Sequence, residues 1–229
     1  MAGFRAQDPA LSRASGKHLP AARGLLAARL IRAQATMRTL GILLAAGASR
    51  RFGARDKLLA DWNGAPLVLA AARALEASGC DALVAIVSSE KVAVSLPPSF
   101  KVHHVTPDLP LSESWRAARG VATSRRAERA LFMLGDMPFV STDTLRALVH
   151  SDGGSRACTF DGIPMPPALL TAQDLTQAPD QDEDQGAREL LRALPHKSLI
   201  PLSAEEARDI DTPEDLRHRR VNLKREDRA

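Results

Sequence analysis

The chain of 229 residues contains no tyrosine, and its two tryptophans and six phenylalanines bring the aromatic share to only 3%. Its core must therefore come from Leu, Ala, Val and Ile. At 45% hydrophobic content these suffice for one substantial core, and nothing forces a second domain. Cysteine is scarce as well. Cys80 and Cys158 stand alone with no Cys-x-x-Cys spacing, which speaks against a disulfide framework or a zinc site, and apolar neighbours mark both as small core residues. His103 and His104 are adjacent on a strand-like run, so they point to opposite faces and make a poor metal pair. No apolar run approaches the ~20 residues of a membrane span, and no secretory apolar region is present. The expectation is a soluble, cytoplasmic protein with no membrane partner.

The formal charge of +4 is unevenly spread. Residues 1–38 carry Arg5, Arg13, Lys17, Arg23, Arg29, Arg32 and Arg38 against Asp8 alone, a local +6 that leaves −2 for residues 39–229. The basic excess belongs to this arm and gives no reason to expect nucleic-acid binding by the body. Two readings of residues 1–37 stand. One is a transit-like or surface-binding segment, Arg-rich and acid-poor with an apolar stretch at Gly24–Ala28. The other is a disordered basic extension ahead of a start at Met37. Residues 38–220 are expected to form the folded domain, with a charged tail at 221–229.

Within the body, strand-like apolar runs at Leu40–Ala45, Ala82–Val87, Lys101–Val105 and Ala130–Leu134 alternate with helical patterns at Pro66–Ala77, Ser112–Thr123 and Thr142–His150. Such alternation predicts an α/β fold with a mostly parallel sheet covered on both faces. Ligands in these folds bind outside the carboxyl ends of the strands. That rule places the loop after the first run, and Gly135-Asp136 after the fourth, on one edge.

The first run feeds a loop of small residues that ends in positive charge: Ala45-Ala46-Gly47-Ala48-Ser49-Arg50-Arg51-Phe52-Gly53-Ala54-Arg55-Asp56-Lys57. A strand leading into such a loop offers backbone N–H groups and fixed cations to phosphates. Two familiar phosphate loops are excluded by spacing. Five residues separate Gly47 from Gly53, and Lys57 comes four positions later with Leu58 behind it, so this is no P-loop. No Gly-x-Gly-x-x-Gly triplet opens a helix here. The segment instead resembles the signature of the MobA-like nucleotidyltransferases, Leu-x-(Ala/Gly)-Gly-x-Ser-x-Arg-(Met/Phe)-Gly followed closely by Lys.

That resemblance implies a three-layer α/β/α, Rossmann-like nucleotidyltransferase fold and a Mg²⁺-dependent attack on the α-phosphorus of a nucleoside triphosphate. Such chemistry asks mainly for alignment and positive charge where negative charge develops. It assigns Lys57 and Arg51 as catalytic cations, and Ala45, Ala46, Gly47, Ser49, Arg50, Arg51, Lys57, Ser112 and Ser114 as nucleotide-binding. Asp136, at a strand exit, and Asp211 are the expected Mg²⁺ ligands, since magnesium prefers oxygen donors and keeps several waters. In Asp209–Leu216, Thr212 suits a helix N-cap and Pro213 the first helical position, which leaves Asp211 free for the metal.

The fine print is similar to the molybdenum-cofactor cytidylyltransferases (MocA-like). Ala45-Ala46-Gly47 stands where they carry Ala-Ala-Gly. Asp184-Gln185-Gly186-Ala187-Arg188 matches their Gly-Asp-x-Gly-Ala-Arg except that Glu183 replaces the first glycine. Asp209–Leu216 reads Asp-Ile-Asp-Thr-Pro-Glu-Asp-Leu, as theirs does. The resemblance implies transfer of CMP from CTP to molybdopterin with release of pyrophosphate, the acceptor touching Pro164, Asp184, Gly186, Ala187 and Arg188, and a molybdoenzyme or its accessory protein as partner. The Ala46 methyl, by narrowing the base site, would favour CTP over GTP. Two segments depart: Pro110-Leu111-Ser112-Glu113-Ser114-Trp115 replaces Gly-Met-Ser-Ser-Ser-Leu on the base side, and Gly162-Ile163-Pro164 replaces Gly-His-Pro on the acceptor side. The alternatives are a guanylyltransferase, transfer to another small phosphorylated acceptor, and a non-catalytic cofactor carrier.

Overall fold

β1 (Thr39–Ala45) is apolar along its length and buried at every residue, as a strand covered on both faces must be. This computed structural model describes residues 39–47, 50–53, 56–108, 110–177 and 186–216, all within the unit Met37–Ala229. The basic arm at 1–37 and the charged tail at 221–229 lie outside the described residues. After β1 comes a hairpin of two short strands, β2 (Asp61–Trp62) and β3 (Ala65–Pro66). A seven-stranded sheet then joins β1 to β4 (Ala82–Val87), β5 (Phe100–His104), β6 (Arg129–Leu134), β7 (Arg156–Phe160), β8 (Ile163–Thr171) and β9 (Leu199–Pro201), in the order β5-β4-β1-β6-β8-β7-β9. The strands β5, β4, β1 and β6 run parallel, β8 is antiparallel to both β6 and β7, and β9 is parallel to β7.

The helices are α1 (Val68–Glu76), α2 (Glu90–Ser95), α3 (Leu111–Ser124), α4 (Thr142–Val149), α5 (Ala172–Gln177) and α6 (Gly186–Arg192). Strand residues alternate between two cores, which makes the three layers. Leu43, Ala45, Leu83, Ala85 and Val87 pack against α1, α2 and α4. Leu40, Ile42, Leu44, Val84 and Ile86 pack against α3, α5 and α6. Among the described residues no helix is long and apolar enough to cross a membrane.

Four predicted strands and three predicted helices are present, with one correction at α1. The expected helix start at Pro66 is strand instead, because Asn63 and Gly64 take φ values of 55° and 82° and turn the chain into the β2–β3 hairpin. The Asp61 carboxylate accepts the Gly64 N–H at 2.9 Å and holds that turn. His104 faces Glu90 at 3.5 Å, whereas His103 borders α3, so the pair does diverge. Burial pushes the Cys80 thiol up to about 11 and Cys158 up to about 12, which suits inert core residues.

Candidate active site

The chain leaves β1 toward β4 and β5 on one side, and β6 lies on the other. The carboxyl ends of β1 and β6 are therefore a topological switch point, where open α/β sheets bind ligands. The two ends approach closely: the Gly135 N–H donates to the Leu44 carbonyl at 2.9 Å. A Cβ on Gly135 would stand 3.3 Å from Val68 Cγ2 and 3.4 Å from both Ala45 Cβ and the Leu44 oxygen. Glycine at this position lets Asp136 emerge directly against the end of β1.

Lys57 opens a single 3₁₀ turn whose start is capped by Asp56, which accepts the Leu58 N–H at 3.0 Å. Leu58 is buried in the core on the α1 side and anchors that turn. The Lys57 ammonium then reaches two carboxylates, donating to Asp136 Oδ2 at 2.6 Å and to Asp211 Oδ1 at 2.8 Å. Its side chain is only 11% exposed, so it is far from a solvated surface lysine. Arg51 donates to the other oxygen of Asp211 at 2.6 Å.

Asp211 is held in place from both sides. Ile210 is fully buried with Trp62 and Leu67, and Phe139 packs edge-on against Trp62 at 5.2 Å. The Ile210 N–H also donates to the Asp136 carbonyl at 2.9 Å, which ties the two aspartate segments together. On the other side Thr212 and Asp215 form a reciprocal cap. The Thr212 hydroxyl accepts from the Asp215 N–H at 3.3 Å, and the Asp215 carboxylate accepts from the Thr212 N–H at 2.7 Å and the Asp211 N–H at 3.0 Å. Capping thus consumes Thr212 and Asp215 and leaves the Asp211 side chain for the cluster.

Charge is balanced tightly here. Burial works to lower the Lys57 pKa, but Asp136 and Asp211 outweigh it and hold the ammonium above its usual value. The hydrogen bond from Lys57 holds the Asp211 carboxyl below the ordinary range, with Arg51 adding to the effect. Asp209 is raised, first by burial and then by the negative charges of Asp211 and Asp136. Asp136 Oδ1 is buried and among the described residues has no hydrogen-bond partner. Two carboxylates that already converge on one cation, one of them with an unpartnered buried oxygen, are a donor set that fits a hard divalent ion. Among the described residues, no group of three or more His, Cys, Asp or Glu is placed to hold a metal.

The other expected site residues are placed unevenly. Ala45 and Ala46 are buried and Gly47 is exposed, whereas Ser49 and Asp184 lie outside the described residues. Ala46 packs in the core on the α3 side. The residue is 5% exposed at the end of β1, where the loop begins. Arg50 precedes Arg51 in a 3₁₀ turn, and Gly186 and Ala187 open α6 ahead of the exposed Arg188. Ser112 and Ser114 are both buried on α3; Ser112 lines a cavity that Pro164 and Arg188 also border. Trp115, expected beside the base, packs on Phe132 with ring centroids 4.5 Å apart. The sequence reading did not find the anchors Trp62, Phe139 and Ile210. Ile210 lay inside the matched octet, but only the fold shows that it is buried.

Comparison with known proteins agrees with this geometry. The model of the MobA-like NTP transferase domain matches residues 41–198, and the chain belongs to that family; it is by class a nucleotidyltransferase. A curated relative, nicotine blue oxidoreductase of Paenarthrobacter nicotinovorans, is 27% identical over 194 residues, spanning 77% of this chain and 93% of the relative. A nucleotidyl transferase from Methanothermobacter thermautotrophicus superimposes with a TM-score of 0.68 at 23% identity, over 82% of this chain and 98% of that one. A Mycobacterium tuberculosis H37Rv protein solved in complex with manganese has a TM-score of 0.63 at 22% identity, over 79% of this chain and 97% of the other.

Proposed function

We propose that this protein transfers CMP from CTP to a small acceptor that carries a phosphate, with release of pyrophosphate, molybdopterin being the acceptor that the sequence resemblance implies. The observation that carries the reading is the Lys57–Asp136–Asp211 cluster at the switch point, with Arg51 against its outer edge. An acceptor phosphate oxygen attacks the α-phosphorus of CTP, the bond from that phosphorus to the bridging oxygen breaks, and pyrophosphate takes the electron pair. Lys57 supplies positive charge where the attacked phosphorus becomes more negative, and Arg51 supplies a second cation from the exposed side. Gly47 and the backbone after β1 give the triphosphate room to approach.

Asp136 and Asp211 would hold Mg²⁺ or a similar ion, with the remaining ligands from triphosphate oxygens and water. Such an ion neutralises charge on the triphosphate and on the leaving pyrophosphate. The manganese complex of the mycobacterial neighbour supports a divalent ion in this fold. CTP rests on the cytidylyltransferase-like segments, chiefly Asp209–Leu216.

A pyrophosphate-release assay with each of the four nucleoside triphosphates, with and without molybdopterin, tests the reading. Release with CTP that depends on acceptor and divalent ion is expected; a guanine product would overturn the base assignment and leave the reaction class standing.

A further inference from the structure

Beside the cluster lies a cavity of about 420 Å³, within the range of about 300–1,000 Å³ that holds one small molecule. Leu44 and Leu134 border it from the ends of β1 and β6, immediately before the loop and before Gly135-Asp136. The rest of its wall comes from α3, β8, the β7–β8 turn, α6 and Ala207 in the segment after β9, chiefly on the side of the switch point away from β4 and β5. A nucleotide at the switch point leaves this side for the second substrate.

The wall is almost wholly apolar. Trp115, Phe132 and Met165 line it, and Phe160 and Ile163, 40% and 64% exposed, stand at its rim on the β7–β8 hairpin. Pro164 and Pro166 also face it and have no N–H to donate. Its polar side chains are the Ser112 hydroxyl and the guanidinium groups of Arg188 and Arg192. These arginines are four residues apart on α6 and share a face; both are exposed, and among the described residues neither makes an ion pair.

We infer that the acceptor is an amphiphile, with an apolar body seated in this cavity and an anionic group met by Arg188 and Arg192. The inference rests on the transferase reading and narrows it. A pterin ring bonds along its edges through several donors and acceptors, and this wall would leave them unpaired; each one lost weakens binding by about tenfold. An apolar body loses nothing by entering, and two guanidinium groups exposed on one face of α6 are suited to a phosphate. Such an acceptor would take the place of the molybdopterin that the sequence resemblance implies, and the two are separated by direct comparison of their binding.

Calorimetry on the full chain with geranyl phosphate, geraniol, ribose 5-phosphate and molybdopterin tests this, with CTP binding measured in the same samples. Geranyl phosphate is expected to bind at least about tenfold more tightly than ribose 5-phosphate or geraniol. Ile163→Asp should lower its affinity about tenfold without changing CTP binding, and the exposed position makes the variant safe for folding. Arg188→Ala with Arg192→Ala should abolish the preference for geranyl phosphate over geraniol. The inference is overturned if geranyl phosphate does not bind, if ribose 5-phosphate or molybdopterin binds as tightly, or if neither variant matters. Loss of CTP binding alone, with geranyl phosphate binding retained, would count against the transferase reading and support the amphiphile.

Discussion

Replacing Lys57 by methionine removes one charge from the middle of the cluster while keeping most of the side-chain volume. Its ammonium lies 2.6 Å from Asp136 and 2.8 Å from Asp211, whose side chains are 18% and 33% exposed. The expected loss of stability falls between that of an exposed pair, about 0–1 kcal/mol, and that of a buried one, about 3–5 kcal/mol. A value of about 2 kcal/mol follows, or a fall in melting temperature of about 4–8 °C for a domain of this size. Turnover should drop by roughly 10²–10³, the scale for removing a preorganised group that stabilises developing charge. A third readout separates catalysis from packing. Without the ammonium the two carboxylates face each other, so Mn²⁺ followed by electron paramagnetic resonance in the absence of nucleotide should bind the variant more tightly, by about tenfold. Unchanged melting temperature together with unchanged Mn²⁺ affinity would refute the bridged arrangement, whatever happened to turnover.

Gly135→Ala should destabilise the protein by about 1–3 kcal/mol, the usual scale for overpacking, because its Cβ would press on Val68, Ala45 and the Leu44 carbonyl; thermal melts decide it. Burial works to raise the Glu206 carboxyl, but hydrogen bonds from Thr144, Ser141 and Ser203 bring it down to about 2, against 4.5 for a free glutamate. A depressed carboxylate stabilises the fold above pH 4.5, and that contribution is lost as pH falls toward 2. Because the group is largely open to solvent, screening leaves only part of this shift as stability, and Glu206→Gln should cost about 1 kcal/mol at neutral pH and almost nothing near the acid limit; parallel stability curves for the two proteins would contradict this. Trp62→Ala should loosen Ile210 and with it Asp211, lowering turnover more than its effect on folding would explain; full activity in the folded fraction would show that the Trp62–Phe139 cluster does not position the site.

β1 could be read directly from the sequence because both its faces are buried, and α1, α3 and α4 because their apolar spacing is regular; the six-residue α2 is too short to show such a period. Lys57, Asp136 and Asp211 were placed by local patterns, a basic loop, a strand exit and a helix cap. Their meeting depends on long-range packing that no local pattern records. The same holds for Trp62 and Ile210, which are far apart in the chain and joined only by the fold. The second half of the sheet escaped for a different reason: β8 begins Ile163-Pro164-Met165-Pro166-Pro167, and prolines remove the ladder donors by which a strand is recognised.

The central claim, that the Lys57–Asp136–Asp211 cluster transfers a nucleotidyl group, is tested most directly by incubating each of the four nucleoside triphosphates, CTP first, labelled at the α-phosphorus, with a protein-free pool of small phosphorylated metabolites. The wild-type chain should move label into a new product, with one pyrophosphate released per label transferred and only when a divalent ion is present. Asp136→Asn should reduce transfer by at least about 10². Absence of transfer from all four nucleoside triphosphates, or equal transfer by Asp136→Asn, would contradict the account.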